Sequence, residues 1–340
     1  MKQQIVICLT ALAILAAVVL TGHAQQNTTF RLVQKIPLPT GFNHFDHFGV
    51  DAKGGRLFAT FEDHNTVEVF DLNTGKILHS IPGFTVPHNV LYLPDLNEVV
   101  ITDGAGTVNF LRGDSLEKIA TVKLTINADF VVYDPRTQLF YVTNGGHAGK
   151  MTYAQVSIID KNAKHVDDIR IEASHIEFLS AERSGPRIFL SLTDKNAIGV
   201  IDRDKRKMVT MWPLPGDSEY NIPNALDQDH ARLFTVSRKP TPKLIVFDTA
   251  SGKSVAVLPA VGESDDIAYD AKRKRVYVSG AEGFVSVFQQ DDPDHYTPLA
   301  KIPTGKGAAT STFVPELDRL YVGVKQGEKS AELHVYEVVP

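Results

Sequence analysis

The 340-residue sequence has almost no cysteine, because Cys8 is the only one. It lies in an apolar run, residues 5–20, which follows the basic residue Lys2 and precedes the small residues of positions 22–24. This order is typical of a secretory signal peptide, and the run is short for a membrane span. We therefore expect cleavage near Ala24 and a periplasmic or secreted protein; an uncleaved N-terminal anchor is the alternative.

Removal of residues 1–24 would leave a chain without thiols. The mature protein would then contain no disulfide, no cysteine nucleophile and no thiolate metal site. Its stability must come from the burial of a hydrophobic core, and a chain of this length can bury enough surface to fold without covalent cross-links.

The sequence also lacks a concentrated basic region and a helical hydrophobic period. Loss of Lys2 changes the formal net charge from −5 to −6, which disfavours nucleic acid as a partner. No nucleophile elbow, phosphate-binding loop or dinucleotide fingerprint occurs. We expect an unidentified small molecule or a protein as partner, a monomeric state, and no stable membrane insertion after cleavage.

A repeated turn followed by a β-rich run organises the rest of the chain. The clearest copy spans residues 133–146, where Asp134 and Pro135 favour a turn and residues 139–143 are β-branched, aromatic or aliphatic. The chain contains seven copies in all, including this one, at spacings of 40 to 49 residues. All-strand repeats of this length are typical of four-stranded propeller blades.

The last repeat ends at Pro340, one strand short of the others. Residues 30–37, ahead of the first repeat, resemble the fourth strand of the sixth repeat at residues 299–305. We therefore predict a single all-β domain, residues 25–340, that forms a seven-bladed propeller of four-stranded antiparallel blades. The N-terminal strand would complete the last blade, so no sheet edge would be exposed between the first and last blades.

The tetrapeptide Tyr141-Val-Thr-Asn gives the repeat its resemblance to a known family. The chain resembles YVTN-type β-propeller repeat proteins, in particular the exported YncE-like members, over residues 30–340. The resemblance implies that the first strand of each blade lines a central channel, and that ligands bind at the face where these strands begin. Propellers have many unrelated activities, so the fold alone does not identify a function.

Alignment of the repeats predicts which residues surround the channel mouth. His175 reaches this set only if the turn of the fourth repeat contains a two-residue insertion. The predicted binding residues at the mouth are Asp46, His47, His88, Asn89, Asp129, His175, Asp265 and Asp266.

This set has three interpretations. Asp and His are ordinary ligands of divalent metal ions. A His oriented by a neighbouring Asp can also act as a general acid or base. The third interpretation is a hydrated mouth whose polar groups bond to water and to one another. No catalytic residue is assigned, and a divalent metal ion is the one cofactor that the set suggests.

The loops at the rim of the same face supply further polar residues. Arg238 and Lys239 are cations above an acidic mouth, where they would hold an anionic group or remain solvated. The rim residues predicted as a second set of binding residues are His44, His64, His147, Arg238 and Lys239.

Two functions of different classes follow. The first is an exported, non-catalytic binding or scaffold protein that recognises a ligand or partner at the mouth. The second is a metal-assisted, lactonase-like hydrolase, because related propellers resemble sugar lactonases with a metal at the mouth. A quinone-dependent oxidoreductase is disfavoured, because the chain has neither a haem motif nor a Trp-rich docking platform.

Overall fold

Each predicted repeat forms one four-stranded antiparallel sheet, which confirms the seven-bladed propeller. The structure is a computed structural model that describes residues 29–42, 44–325, 327 and 330–340. Within these residues there are 28 strands and three short 3-10 helices, and none of the helices is long or apolar enough to cross a bilayer. The predicted signal segment, residues 1–24, lies outside the described residues.

The strands follow one another with short connections. They are β1 (Phe30–Pro37), β2 (Phe45–Asp51), β3 (Arg56–Phe61), β4 (Thr66–Asp71), β5 (Ile77–Pro82), β6 (Pro87–Leu93), β7 (Glu98–Asp103), β8 (Thr107–Arg112), β9 (Lys118–Lys123), β10 (Val131–Asp134), β11 (Leu139–Gly145), β12 (Ala154–Asp160), β13 (His165–Ile171), β14 (Ile176–Ala181), β15 (Arg187–Leu192), β16 (Ala197–Asp202), β17 (Lys207–Pro213), β18 (Glu219–Asp227), β19 (Arg232–Lys239), β20 (Lys243–Asp248), β21 (Ser254–Pro259), β22 (Ser264–Asp270), β23 (Arg275–Gly280), β24 (Phe284–Asp292), β25 (His295–Pro303), β26 (Ser311–Val314), β27 (Arg319–Lys325) and β28 (Ala331–Val338).

The blades follow chain order. Blade 1 contains β2 to β5, and each later blade takes the next four strands as far as blade 6, which ends at β25. Blade 7 combines β26 to β28 with β1. The first strands line the central channel, with Phe48 and Phe178 among the residues that border it.

Burial differs systematically between the strands of a blade. The middle strands are apolar on both faces, because neighbouring blades cover both sides; Val99 and Val108 of blade 2, for example, are fully buried. The fourth strands face solvent, and Ile119 of β9 is 47% exposed. The hydrophobic core is therefore divided among the interfaces between blades.

The N-terminal strand β1 is the outer strand of blade 7. β1 pairs antiparallel with β28, with Phe30 opposite Val338 and Pro37 opposite Glu332. The ring of Phe30 is 3% exposed, and its centroid lies 4.9 Å from that of Tyr277 in blade 6. The buried face of β1 thus adds to the core shared by blades 6 and 7.

Replacement of Phe30, the buried aromatic residue of β1, tests whether this strand packs against blade 6 as the structure shows. We expect Phe30→Ala to lower the free energy of unfolding by about 3–5 kcal/mol, because it removes a ring from a closed core. Leu32 lies on the same strand and is 42% exposed, so Leu32→Ala is the matched control and should change stability by less than about 0.5 kcal/mol. Chemical denaturation followed by circular dichroism measures both. Equal effects of the two substitutions would show that β1 is not packed as described.

Candidate metal centre at the channel mouth

Backbone bulges turn the mouth residues out of the inner strands. The register of β2 against β3 shifts between Phe45 and Phe48, and that of β6 against β7 shifts between Pro87 and Val90. Two residues of each inner strand therefore leave the regular ladder where the strand begins. In blade 1 the first of these is Asp46, and in blade 2 it is His88.

A buried hydroxyl fixes each bulge to the next blade. Thr60 Oγ1 accepts the backbone N–H of His47 at 2.9 Å and donates to the carbonyl oxygen of His88 at 2.9 Å. Thr102 repeats this arrangement one blade later, because its Oγ1 accepts the N–H of Asn89 at 3.0 Å and bonds to the carbonyl of Asp129. These bonds hold the starts of the first three inner strands together.

The side chains of Asp46, His88 and Asp129 converge above these bulges. One ligand atom from each lies within 4.8 Å of the other two. His88 Nδ1 lies 2.8 Å from Asp46 Oδ2 and 3.1 Å from Glu62 Oε1. Gly104 allows this approach, because a Cβ at that position would lie 3.0 Å from His88 Nε2.

The carboxylates around His88 strongly favour its protonated form. Burial opposes the charge, but hydrogen bonds to Asp46 and Glu62, together with the charge of Asp129, raise the pKa of His88 to about 11. Burial likewise acts against ionised Glu62, but the hydrogen bond and positive charge of His88 lower the pKa of this carboxyl. Without another cation, His88 is therefore the positive centre of the cluster.

Asp129 is the least compensated member of the cluster. Burial, the negative charge of Glu177 and that of Asp46 raise the pKa of Asp129 to about 7, against opposing effects of His88 and His47. Its carboxylate accepts no hydrogen bond from any residue that the structure describes. Burial also raises the pKa of Asp46, although His47 and His88 oppose this. The mouth thus carries more negative charge than its donors neutralise.

His47 forms the floor of the mouth. It is 7% exposed, and its ring meets the rings of Phe130 and Phe178 edge-on, with centroids 5.6 and 5.2 Å away. Its nitrogens lie 3.6 Å from Asp46 and 3.4 Å from Asp266. Burial disfavours its charge, but Asp46 and Asp266 hold the pKa of His47 well above its usual value. His47 therefore lies between the carboxylates of the mouth and the aromatic side chains that line the channel.

The alignment that placed His175 at the mouth position is wrong by two residues. The turn between β14 and β15 needs no insertion, since Glu182 and Arg187 close it over the same separation as Asp51 and Arg56 in blade 1. The bulge of β14 consequently presents Glu177. His175 lies beside it, with Nε2 hydrogen-bonded to the Glu177 carboxylate.

His147 joins His175 in a pocket next to the cluster. The short helix Gly146–Gly149 places the His147 ring 4.7 Å from that of His175, and Nδ1 of His147 lies 3.2 Å from the carbonyl oxygen of Ser174. This pocket is also lined by Asp129 and Glu177. His147, which was predicted on a rim loop, and His175, which was predicted at the channel mouth, therefore line the same cavity.

The two rim cations are already engaged. Arg238 donates to the carbonyl of Ser264 at 2.8 Å and to Asp265 Oδ1 at 2.9 Å. Lys239 Nζ lies 4.8 Å from the centroid of the Tyr220 ring. Arg238 therefore neutralises Asp265, and neither of these two predicted residues belongs to the Asp46–His88–Asp129 group.

The remaining predicted residues occupy three different environments. His64 stacks on Phe42, with ring centroids 3.7 Å apart. His44 is exposed, and its Nε2 lies 3.7 Å from Glu62. Asn89 is buried and lines the channel. Asp266 also lines the channel, and its carboxylate accepts the backbone N–H of Ser311 at 2.7 Å.

Sequence reasoning missed the roles of two carboxylates. Glu62 was recognisable only as part of a rim loop, since its approach to His88 depends on the packing of blade 1 against blade 2. Glu177 had a usable signal, because it lies five residues before Glu182, as Asp46 lies five before Asp51. The assumed insertion concealed this correspondence.

The residues present fit a divalent metal ion. A metal bonded to N and O ligands at about 2.1 Å holds adjacent ligand atoms about 3 Å apart, close to the 2.8 Å between His88 Nδ1 and Asp46 Oδ2. One imidazole and two carboxylates suit zinc, manganese, iron or cobalt. A bound metal ion would give the Asp129 carboxylate a directly bonded cation, which none of the described residues provides.

Because the pKa of Asp129 is raised, replacing this residue with a neutral one should change the stability of the metal-free protein in a pH-dependent way. Ionisation of this group destabilises the fold, so the penalty is absent below the unfolded-state pKa near 3.8 and complete above about 7. We expect Asp129→Asn to raise the free energy of unfolding at pH 8, relative to pH 4.5, by an amount on the order of a few kcal/mol. Denaturant titrations after chelation of metals measure it.

The control for this experiment is Asp95→Asn, which changes an exposed turn residue. A gain from Asp129→Asn that is the same at both pH values would contradict the assigned environment of Asp129.

Comparisons with known proteins support the fold and do not identify a family. A scan against protein-family models gives no match, and a search of curated proteins gives none either. Solved structures do match. A chain of Kuenenia stuttgartiensis hydrazine synthase has a TM-score of 0.72 at 16% identity, over 87% of this chain and 96% of that one.

Two further solved structures share the fold, and one of them consists of WD40 repeats. A chain of a mitotic checkpoint complex gives a TM-score of 0.76 at 12% identity, over 100% of this chain and 99% of that one. The WD40 repeats of RRP9 give 0.70 at 11% identity, over 90% and 97%. At such low identity the likeness shows the propeller fold alone, an architecture common among scaffold and binding modules.

Proposed function

We propose that this chain is an exported, YVTN-type propeller that binds a divalent transition-metal ion at its channel mouth and presents it to a small ligand or partner. The observation that carries the proposal is the convergence of Asp46, His88 and Asp129 within 4.8 Å, together with the absence of a described hydrogen-bond donor to Asp129. This is a binding function, and it needs no catalytic residue.

The three side chains would hold the ion from three adjacent blades. Glu62 Oε1 lies 3.1 Å from His88 Nδ1, the same nitrogen that faces Asp46, so this carboxylate would lie beside the ion and add negative charge there. The ring of His47 lies next to Asp46, with Nε2 3.6 Å from Oδ1, and packs against Phe178. When bound, the ion supplies positive charge and Lewis acidity to a ligand oxygen.

The proposed location and family rest on the sequence. The apolar run at residues 5–20 with small residues after it supports export, and Tyr141-Val-Thr-Asn with its six degenerate copies supports the YVTN-type assignment. The net negative charge and the absence of a basic cluster support a partner other than nucleic acid. We propose a monomer that stays in the periplasm or leaves the cell.

Metal titration tests the proposal. We expect purified mature protein to bind Mn²⁺ or Zn²⁺ with one site, and His88→Ala to weaken binding by roughly tenfold or more, because it removes the only nitrogen ligand. Isothermal titration calorimetry measures both. His295→Ala, which changes an exposed histidine on an outer strand, should leave the affinity unchanged.

The same titration should also show the release of a proton when the metal binds. Protonated His88 must lose its proton to the solvent when a metal binds, since its pKa is about 11 in the metal-free cluster. We expect release of about one proton per metal at pH 8, detected by repeating the titration in buffers of different ionisation enthalpy. Stoichiometric binding that releases no proton and survives His88→Ala would place the ion elsewhere.

The hydrogen-bonded pair His175–Glu177 favours a second candidate function, a metal-assisted, lactonase-like hydrolase. The pair borders the same pocket as Asp129. A carboxylate that orients an imidazole can hold and transfer a proton next to a ligand. In this candidate, His175 would take a proton from an attacking water and Glu177 would keep the ring in position.

Substitution of the orienting carboxylate separates the two candidates. For a hydrolase, Glu177→Gln should lower kcat for a lactone substrate by roughly 10²-fold or more, while KM and metal affinity change little. Hydrolysis by metal-loaded protein is followed by titration of the released acid. A metal-loaded wild-type protein that is inert towards lactones of different ring sizes would leave only the binding function.

A further inference from the structure

The first strands of all seven blades enclose a cavity in the central channel. Its volume is about 500 Å³, within the range of about 300–1,000 Å³ that is usual for small-molecule pockets. The strands β2, β6, β10, β14, β18, β22 and β26 each contribute to its lining. The channel therefore holds a ligand-sized space on the axis of the propeller.

Much of the cavity wall is apolar and aromatic. Four phenylalanine side chains line it, those of Phe48, Phe130, Phe178 and Phe313. The rings of Phe130 and Phe178 are stacked with centroids 4.2 Å apart, while Phe48, Phe130 and Phe313 are partly exposed. Water next to such surfaces finds few hydrogen-bond partners, so its displacement by an apolar molecule is favourable. Aromatic walls add stacked and edge contacts for a ligand that is itself aromatic.

The charged side chains of the wall are already paired. Among the described residues that line the cavity, Asp266 is the one carboxylate and His47 the one group that can be cationic. Asp266 Oδ1 lies 3.4 Å from His47 Nδ1, and Asp266 Oδ2 accepts the N–H of Ser311 at 2.7 Å. A charged ligand would lose its hydration in the channel without gaining a free counter-charge. The pairing therefore favours an uncharged ligand.

Two further polar side chains of the wall have partners within the protein. Asn224 accepts a hydrogen bond from Ser180 at 2.5 Å and donates one to Ser191 at 3.0 Å. The hydroxyl of Ser311 accepts that of Ser279 at 2.7 Å. A ligand therefore gains little by contact with these groups.

Asn89 presents an amide without a partner to this cavity. It occupies in blade 2 the position that His47 occupies in blade 1, since a threonine hydroxyl accepts the backbone N–H of each, at 3.0 and 2.9 Å. The ring of His47 meets that of Phe178, which lines the channel, and Asn89 likewise lines the cavity. The side-chain amide of Asn89 makes no hydrogen bond with any residue that the structure describes.

The Asn89 amide is accessible from the channel. The residue is 7% exposed, and its amide atoms are not among the unpartnered polar atoms that the protein encloses completely, unlike the side-chain oxygens of Asn144 and Asn221. A nearly buried amide has little contact with bulk water, and buried polar groups usually have a hydrogen-bond partner. Because the amide both donates and accepts, a ligand hydroxyl can pair with it in either direction.

We propose that the channel binds an uncharged aromatic small molecule, whose rings pack against the four phenylalanines and whose single hydroxyl or similar polar group pairs with the Asn89 amide. This site goes beyond the proposed metal-binding function and includes none of the residues Asp46, His88 and Asp129. Asn89 is the residue that determines specificity, since it distinguishes an aromatic ligand with a polar group from one without.

The probes form a matched series of 2-naphthol, naphthalene, 2-naphthoate and 2-naphthylmethylamine. Their affinities for purified mature protein, kept free of metal by a chelator, are measured through the fluorescence of the naphthyl ring. We expect one site for 2-naphthol and for naphthalene. The anionic naphthoate and the cationic amine should bind roughly tenfold or more weakly than 2-naphthol, because neither finds a free counter-charge.

Two substitutions locate the bound probe. Asn89→Leu keeps the size of the side chain but removes the amide, and should lower the affinity ratio of 2-naphthol to naphthalene by roughly two- to tenfold. Ala268→Phe adds a ring to the cavity lining and should abolish binding of both probes. Ala271→Phe, at an exposed turn of the same blade, is the control and should change neither affinity. Circular dichroism verifies that each variant is folded.

Each contrary outcome overturns the proposal. Absence of 2-naphthol and naphthalene binding up to their solubility limits would show a channel that holds water only. Tighter binding of 2-naphthoate or of the amine would overturn the uncharged ligand class. Binding that persists in folded Ala268→Phe, or an affinity ratio that Asn89→Leu leaves unchanged, would place the probe outside the channel or away from Asn89.

Discussion

The geometry of the mouth depends on the side-chain hydroxyls that close the bulges of the inner strands. Thr60 is fully buried, and its single oxygen bonds to the backbone of its own blade and to the carbonyl of His88 in the next. Thr102 makes the equivalent link from Asn89 to Asp129. Because a bulge leaves backbone groups without ladder partners, these hydroxyls both satisfy the backbone and set the distance between blades.

Electrostatics makes this arrangement a candidate metal site. Three carboxylates, those of Asp46, Glu62 and Asp129, approach one imidazole in a partly buried space. Burial, and then the negative charges of Glu177 and Asp46, raise the pKa of Asp129 to about 7 against the opposing charges of His88 and His47. Sites with such perturbed groups are frequently functional. A cation at the centre would relieve the repulsion that the fold otherwise sustains, which is why the cluster is interpreted as a metal site.

The fold was predictable because every blade contains the same pattern of turn and β-rich run. Neighbouring blades impose the same burial on each middle strand, so the β-rich run at residues 139–143 was recognisable as a strand, and the observed strand β11 extends it by two residues. The convergence of Asp46, His88 and Asp129 followed from the same alignment, since these residues occupy one structural position in successive blades.

The other contacts of the site could not be predicted from the spacing of residues along the sequence. Glu62 reaches His88 from a loop between other strands, and Arg238 turns back to Asp265 instead of facing solvent. Glu177 was obscured by an insertion assumed in a turn that has none.

The central claim is that one metal ion is held jointly by blades 1, 2 and 3. Crystals of the mature protein grown with Mn²⁺ test it most directly, through the anomalous scattering of the ion. We expect one strong anomalous peak within about 2.0–2.3 Å of side-chain atoms of Asp46, His88 and Asp129. A well-ordered mouth without such a peak, with His88 still hydrogen-bonded to Asp46 in the presence of excess Mn²⁺, would contradict it.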